Sequence, residues 1–250
     1  VLGTSAAAAA APDGYTLLAV GNSFAVNPGL HARLPYDSKR DFTPISLLAG
    51  TPHVLVAKPQ LQARTLAEVI AAAKASPGTM NYASSGNGTA PHLAGEQFNQ
   101  RAQVRLTHVP YKGQGPTVTA LMSGEVDLMF ANLLDVLPYV QSRKMQAIAI
   151  SAPRRDPLIA DVPTMGEAGL PGFESSSWYG LMARAGTPGD IVERLNTLVT
   201  GALGSPGLGR QYAGKGLNLT PCATQEFARF LDQEYVKYAE IVKFAGIKLE

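Results

Sequence analysis

The middle of this chain repeats one pattern: a short apolar run, a loop rich in Gly, Ser, Asn or Thr, and then an amphipathic stretch. Thr65 caps a helix over Leu66–Ser76, whose Leu66, Val69, Ile70 and Ala73 share a face, and Pro77-Gly78 stops it. Met80–Ser84 reads as a strand and Leu93–Gln100 as a helix. Arg105–Tyr111 reads as a strand, and a helix opened by Pro116 and stopped by Gly124 follows it. Val126–Phe130 is a strand, Leu133–Ser142 a helix and Gln146–Ser151 a strand. Strands separated by helices are joined by right-handed crossovers into parallel sheets. The expected class is therefore α/β, with mostly parallel sheets flanked by helices.

On either side the rhythm changes. Thr16–Val20 (TLLAV) is a strand candidate, and Pro28 opens a short helix. Ile45–Pro59 holds one or two strands. The Pro/Gly-rich stretch Pro153–Gly172 reads as a connector, and Ser176–Arg184 resumes as a strand. Thr187 caps a helix with Pro188 at its first position. A final helix spans about Thr224–Ala245, and its Phe227, Phe230, Leu231, Tyr235, Tyr238, Ile241 and Val242 recur at core spacing.

The loops carry the functional signal. In an open parallel sheet, ligands bind outside the carboxyl ends of the strands. Three junctions fall there: Ser84–Thr89, Lys112–Gly115 and Ala131–Asn132. A fourth loop, Gly21–Asn27, follows the TLLAV strand. The first junction is the most telling. It offers Ser84, Ser85 and Asn87 as neutral donors, Gly86 and Gly88 for close backbone approach, and Thr89 as helix cap with Pro91 in the first turn. Free amide hydrogens at the positive end of a helix bind anions. A carboxylate held by several such donors needs no arginine. Capping alone explains Thr89 but not the run Ser-Ser-Gly-Asn-Gly. In the second junction Gly113 and Gly115 bring backbone N–H groups to a ligand, with Lys112 adding charge, or form a plain surface turn. Asn132 either caps its helix or donates to a ligand.

Several classes are excluded. Charged residues are 16% of the chain against a usual ~25%, net charge is +2, and Lys and Arg are scattered, which sets nucleic-acid binding aside. No apolar run approaches the ~20 residues of a membrane span. Cys222 is the only cysteine, so an internal disulfide and a Cys-based zinc cluster are impossible. His31, His53, His92 and His108 lie in different segments without HExxH. The Gly86–Gly88 pair lacks the third glycine of a dinucleotide fingerprint, because Pro91 stands there. Neither GxxxxGK[ST] nor GxSxG occurs. No catalytic residue, metal set or cofactor is expected. Trp178 and Tyr179 either wall a cleft or join the core.

The segments APDGYTLL, LPYD…RDFTPISLLA, SPGTMNYASSGNGTAPHLAGE, VPYKGQGPTVTALMSGEVDLMF and DVPTMGEAGLPGFESSSWYGLMARAGTP, in this order along the chain, resemble the Bug/TctC family. These are the extracytoplasmic solute receptors of tripartite tricarboxylate transporters. The resemblance implies a two-lobed, type II-like periplasmic binding protein that closes around a small amino-acid, di- or tricarboxylate. It places lobe 1 at residues 1–53 plus 178–250 and lobe 2 at 54–177, with crossovers near His53–Ala57 and Ser176–Gly180. It implies that Ser84, Ser85, Gly86, Asn87, Gly88 and Thr89 hold one carboxylate, with Gly113 and Asn132 beside it. Asn22, Ser23 and Trp178 would complete the site from the first lobe. The family pattern opens with a further strand, a PxPPGG-like loop and a helix, whereas this chain starts VLGTSAAAAAAPDGYTL, so that unit is expected to be absent.

The partners implied are a small carboxylate and the membrane permease subunits, for a monomeric periplasmic protein made with a signal peptide. Two other readings use the same site. A carboxylate-sensing receptor would dock a signalling partner instead. An enzyme on a small anion would need a base, and His92 or Asp127 are the nearby candidates.

Overall fold

The computed structural model describes residues 1–247. The elements run α1 (Leu2–Ala8), β1 (Leu17–Gly21), α2 (Asn22–Leu30), β2 (Phe42–Ala57), α3 (Leu66–Ala75), β3 (Asn81–Ser84) and α4 (Ala90–Ala102). Next come β4 (Thr107–Pro110), α5 (Gln114–Ser123), β5 (Leu128–Asn132), α6 (Leu133–Gln141) and β6 (Gln146–Ile150). The chain closes with β7 (Ser176–Arg184), α7 (Gly189–Leu203), α8 (Pro206–Tyr212), β8 (Asn218–Leu219) and α9 (Thr224–Ala245). Two compact units result: Val1–Gly50, Trp178–Ala213 and Leu217–Glu250 form one, and Thr51–Ser177 with Gly214–Gly216 the other.

The second unit is three layers. Its sheet runs β2–β5–β3–β4, with β6 on the far side of β2. β3 pairs in parallel with both β4 and β5, as the strand–helix alternation predicts. The last half of β2 pairs antiparallel with β5 and β6, because the sixteen-residue β2 runs into this sheet from the other unit rather than through a crossover helix. Alternate residues serve opposite faces. Leu55, Tyr82, Leu128 and Phe130 meet Leu66 and Val69 of α3 and Phe98 of α4 on one face. Val56, Ala83, Met129 and Ala131 meet Leu121 of α5 and Leu133 and Val136 of α6 on the other. Strands covered on both sides read as unbroken apolar runs, and LMFA is one. Phe98 and Phe130 are fully buried, worth about 1.5–3 kcal/mol each. Gly95 is a contact point: a Cβ there would lie 2.1 Å from the Tyr82 ring, so α4 sits this close to β3 only with glycine.

The helix over Leu66–Ala75 has the expected cap. Thr65 Oγ1 accepts from Glu68 N while the Glu68 carboxylate accepts from Thr65 N. Strand β5 ends two residues later than its sequence suggests, so Asn132 is both its last residue and the N-cap of α6.

In the first unit β1 pairs antiparallel with β7, and the first half of β2 with β8. α9 buries Phe227, Leu231, Tyr235, Tyr238, Ile241 and Val242, the stripe read from the sequence, while Phe230 is partly exposed. Three expectations change here. The stretch from Asn22 to Asn27 is not a loop but the opening of α2, driven by burial of Phe24, Ala25 and Val26; Pro28 lies inside that helix rather than at its start. Pro188, not Thr187, is the N-cap of α7, because the Thr187 hydroxyl turns back to Arg184 O. The alanine-rich start forms α1.

Candidate functional site

Because β3, β4 and β5 are parallel neighbours, their carboxyl ends share one edge of the second unit. Ser84, Pro110 and Asn132 end these strands, and α4, α5 and α6 begin just beyond them. First-turn N–H groups have no intrahelical acceptor. The N-cap residues Thr89, Gly113 and Asn132 make no side-chain cap bond. Three positive helix ends therefore lie at one rim, that of α6 with Asp135 in its first turn.

The loop between β3 and α4 sorts its donors. Gly86 N donates to Ser84 Oγ at 3.2 Å, Gly88 N to His92 Nδ1 at 3.0 Å and Thr89 N to Gly86 O at 3.3 Å. The Thr89 hydroxyl, positioned as a helix cap, instead donates to Gly86 O at 2.7 Å. These groups shape the loop and are spent. The Ser85 and Asn87 N–H groups, and that of Ala90 at the start of α4, have no partner among the described residues. Gly86 at φ +139° and Gly88 at φ +73° permit this path.

The next junction is tied to the first. Gly113 N donates to Ser85 O at 3.2 Å, and Thr117 Oγ1 bridges to Gly113 O at 2.7 Å and Ser84 O at 3.3 Å. Gly113 is glycine for its φ of +103°, since a Cβ there would meet nothing within 4 Å. Lys112 is exposed. On the other side of β3, Asn132 Nδ2 donates to Asp135 Oδ2 at 2.9 Å, while Leu134 N reaches Thr51 Oγ1 at 3.4 Å. Two solvent-shielded polar atoms on this rim lack partners among the described residues, Asn132 Oδ1 and Gln114 Nε2.

Behind the loop lies an arrangement that sequence reading passed over. The rings of His92 and His108 stack with centroids 3.8 Å apart and 12° between planes. His108 Nε2 lies 2.7 Å from Ser84 Oγ, and His92 Nδ1 takes the Gly88 N–H. Tyr82 OH donates to Glu96 Oε1 at 2.6 Å beside them. Burial, and for His92 the neighbouring His108, push these histidines down to about 3 and about 4 respectively. Both are neutral at pH 7, as acceptance of the Gly88 N–H requires. The only sequence hint was a histidine four residues after a loop glycine; the partner histidine comes from the β3–β4 register, which places His108 opposite Tyr82.

The candidate bases are occupied. Asp127 pairs with Lys58 at 2.6 Å and accepts from Asn81 N at 2.9 Å. His92 has its Nδ1 lone pair bound to the loop. Among the described residues no group of three or more His, Cys, Asp or Glu is placed to hold a metal, and no helix is long and apolar enough to cross a membrane.

The remaining three predicted site residues belong to the first unit. Asn22 is buried; its Nδ2 donates to Tyr238 OH at 2.7 Å and its Oδ1 accepts from Trp178 N at 3.1 Å. Ser23 is exposed on the first turn of α2. The Trp178 ring is in the core, edge-on to Phe227 and Phe230, with its indole N–H donated to Glu234 Oε2 at 2.7 Å. Its side chain has no hydrogen-bond donor left to offer.

Comparison with known proteins agrees with this architecture. BugT of Bordetella pertussis is 35% identical over 252 residues, covering 100% of this chain and 77% of BugT. Rpa4515 of R. palustris, solved with adipate, superposes with a TM-score of 0.88 at 31% identity over 99% of this chain and 84% of that one. MatC of Rhodopseudomonas palustris, solved with malate, gives a TM-score of 0.82 at 33% identity over 96% of this chain and 83% of MatC. Residues 1–247 match the family described as the tripartite tricarboxylate transporter family receptor, and the chain belongs to that family, TctC.

Proposed function

We propose that this protein is a periplasmic receptor that captures a small carboxylate on the rim formed by β3, β4 and β5 and delivers it to a membrane permease, without chemistry. One observation carries the reading: three helix N-termini whose N-cap side chains make no cap bond open beyond adjacent parallel strands, with the Ser85, Asn87 and Ala90 N–H groups left over beside them. Preorganised amides stabilise a carboxylate without a cation and without reorganisation on binding. Two relatives were solved with dicarboxylates, adipate and malate, which fits this ligand class. Family membership supports the periplasmic location, an exported precursor and the permease partner.

Isothermal calorimetry with a panel of C4–C6 dicarboxylates, tricarboxylates and acidic amino acids tests the proposal. Saturable binding to at least one is expected. Ser85→Pro and Asn87→Pro, each of which deletes one of the free N–H groups, should weaken it while Lys237→Ala on α9 should not. A folded sample giving no heat with any compound would remove the function, and equal losses from both sets of changes would remove the site.

A further inference from the structure

The far end of the second unit holds a cavity that the carboxylate rim does not use. Within the sheet, Ala57 of β2 stands opposite both Leu128 of β5 and Gln146 of β6, whereas His53 stands opposite Asn132. The Gln146 end therefore lies four residues along the strands from the Asn132 end, about 13 Å at roughly 3.3 Å per residue. There a cavity of about 680 Å³ opens between the end of α6, the start of β6 and residues 157–162. Small-molecule sites span about 300–1,000 Å³. Its floor is apolar: Met145, Ile159 and Val162 are buried, and Val140 is half-buried. Its exposed charges are one-sided. Arg64, Arg143 and Lys144 line it against a single acid among the described residues, Asp161.

The cations are held in place by the backbone and by each other's neighbours. Arg143 has φ +56°, the left-handed region in which glycine is the unstrained choice. Arginine there closes α6 in a tight turn, with Lys144 N and Met145 N both donating to Tyr139 O, at 2.8 and 3.2 Å. Arg64 is fixed to the start of β6: its Nη1 donates to Gln146 Oε1 at 2.7 Å, and Gln146 Nε2 donates to Ala63 O at 2.9 Å. None of the three cations has a carboxylate within 4 Å among the described residues. The acids close in sequence are engaged with backbone, Glu68 accepting from Arg64 N and Thr65 N, and Asp156 from Leu158 N. Gathered like charges are complemented by an anion, and a buried apolar wall by hydrocarbon. We propose that this cavity is a second ligand site, independent of the carboxylate rim, that binds small amphipathic anions: an apolar chain or ring ending in one carboxylate, sulfate or phosphate. A short dicarboxylate offers nothing to the apolar wall, so the two sites draw on different solutes.

The test is calorimetry at pH 7 with octanoate beside two controls. Acetate keeps the charge and lacks the chain; octyltrimethylammonium keeps the chain and reverses the charge. Octanoate should bind saturably and at least about tenfold more tightly than either control. Arg143→Gly with Lys144→Ala removes two cations, and glycine suits the turn, so this variant should fold. It should bind octanoate at least about tenfold more weakly. Backbone-amide NMR shifts caused by octanoate in the wild-type protein should cluster at residues 143–147 and 160–162. Octyltrimethylammonium binding as tightly as octanoate, or an unchanged octanoate affinity in the double variant, overturns the proposal. Shifts confined to residues 85–90 also overturn it, by placing octanoate on the carboxylate rim, and leave the rim reading standing. No octanoate binding at all removes this second site, whatever the dicarboxylates do at the first.

Discussion

Two asparagines stand at strand-to-helix junctions, and the protein treats them oppositely. Asn22 follows β1 and is satisfied at both ends, by Tyr238 OH and Trp178 N–H. Asn132 ends β5 and is satisfied at one end only. The first is held by its own unit; the second is held so that one atom is left over. The same contrast extends to their surroundings. Around Asn22, the Trp178 indole N–H is taken by Glu234, which also pairs with Lys237 at 2.9 Å. Around Asn132, the neighbouring junctions spend Gly86, Gly88 and Gly113 N–H groups on shaping the loops and leave Ser85, Asn87 and Ala90. A polar residue at a strand end is therefore no evidence of a binding site by itself; which of its atoms are taken is decided by distant partners.

This comparison is breakable by mutation. The largest effect is expected from His92→Leu, which leaves the buried Gly88 N–H without an acceptor and removes the stack with His108. It should lower stability by about 2 kcal/mol or more and weaken carboxylate binding severalfold or more, read by urea unfolding and calorimetry. Asn22→Ala should cost about 1–3 kcal/mol of stability, because Trp178 N–H and Tyr238 OH lose a buried partner. If Asn22→Ala were neutral in urea, the two asparagines would not differ as described. Gly86→Ala comes next. A methyl there has room, 3.6 Å from Tyr111 O, so the cost is the φ of +139° alone. About tenfold weaker binding with a modest drop in melting temperature is expected, and unchanged affinity would show that the loop path does not matter.

The histidine pair makes a pH prediction. Both groups titrate well below the ordinary 6.5, near 3 and 4. Between those values and 6.5 the unfolded chain binds more protons than the folded one, so stability rises with pH in that window. It is fully present above about 6.5 and is lost as the pH falls toward 3. His92→Gln and His108→Gln together should flatten this slope, measured as the urea midpoint at pH 7 against pH 4.5. The smallest effect is expected from Lys112→Ala. Its ammonium is exposed, so ligand affinity should change by less than about threefold, and less still at high salt.

Much of this fold was legible beforehand. The helix at Leu66 with its Thr65 cap, the α9 core stripe and the three strands β3, β4 and β5 all followed from local periodicity and local capping chemistry. What was misread has local causes too. Asn22–Asn27 looks like a loop because its polar ends and Pro28 outweigh a short buried run. The antiparallel pairing of β2 was invisible because strand length and direction are set by the sheet that receives it.

The sequence by itself determined that three Gly- and Asn-rich junctions follow strands, and hence that one edge of a sheet would be rich in backbone donors. That much is local: glycine permits the turns, and strand–helix order places them. Only the tertiary structure decided which donors and acceptors remain unused. That is settled by partners distant in sequence, such as His108 against Ser84, 24 residues apart, or Tyr238 against Asn22, 216 apart. A hydrogen bond exists or fails within a few tenths of an ångström, and such distances are fixed by packing, not by pattern.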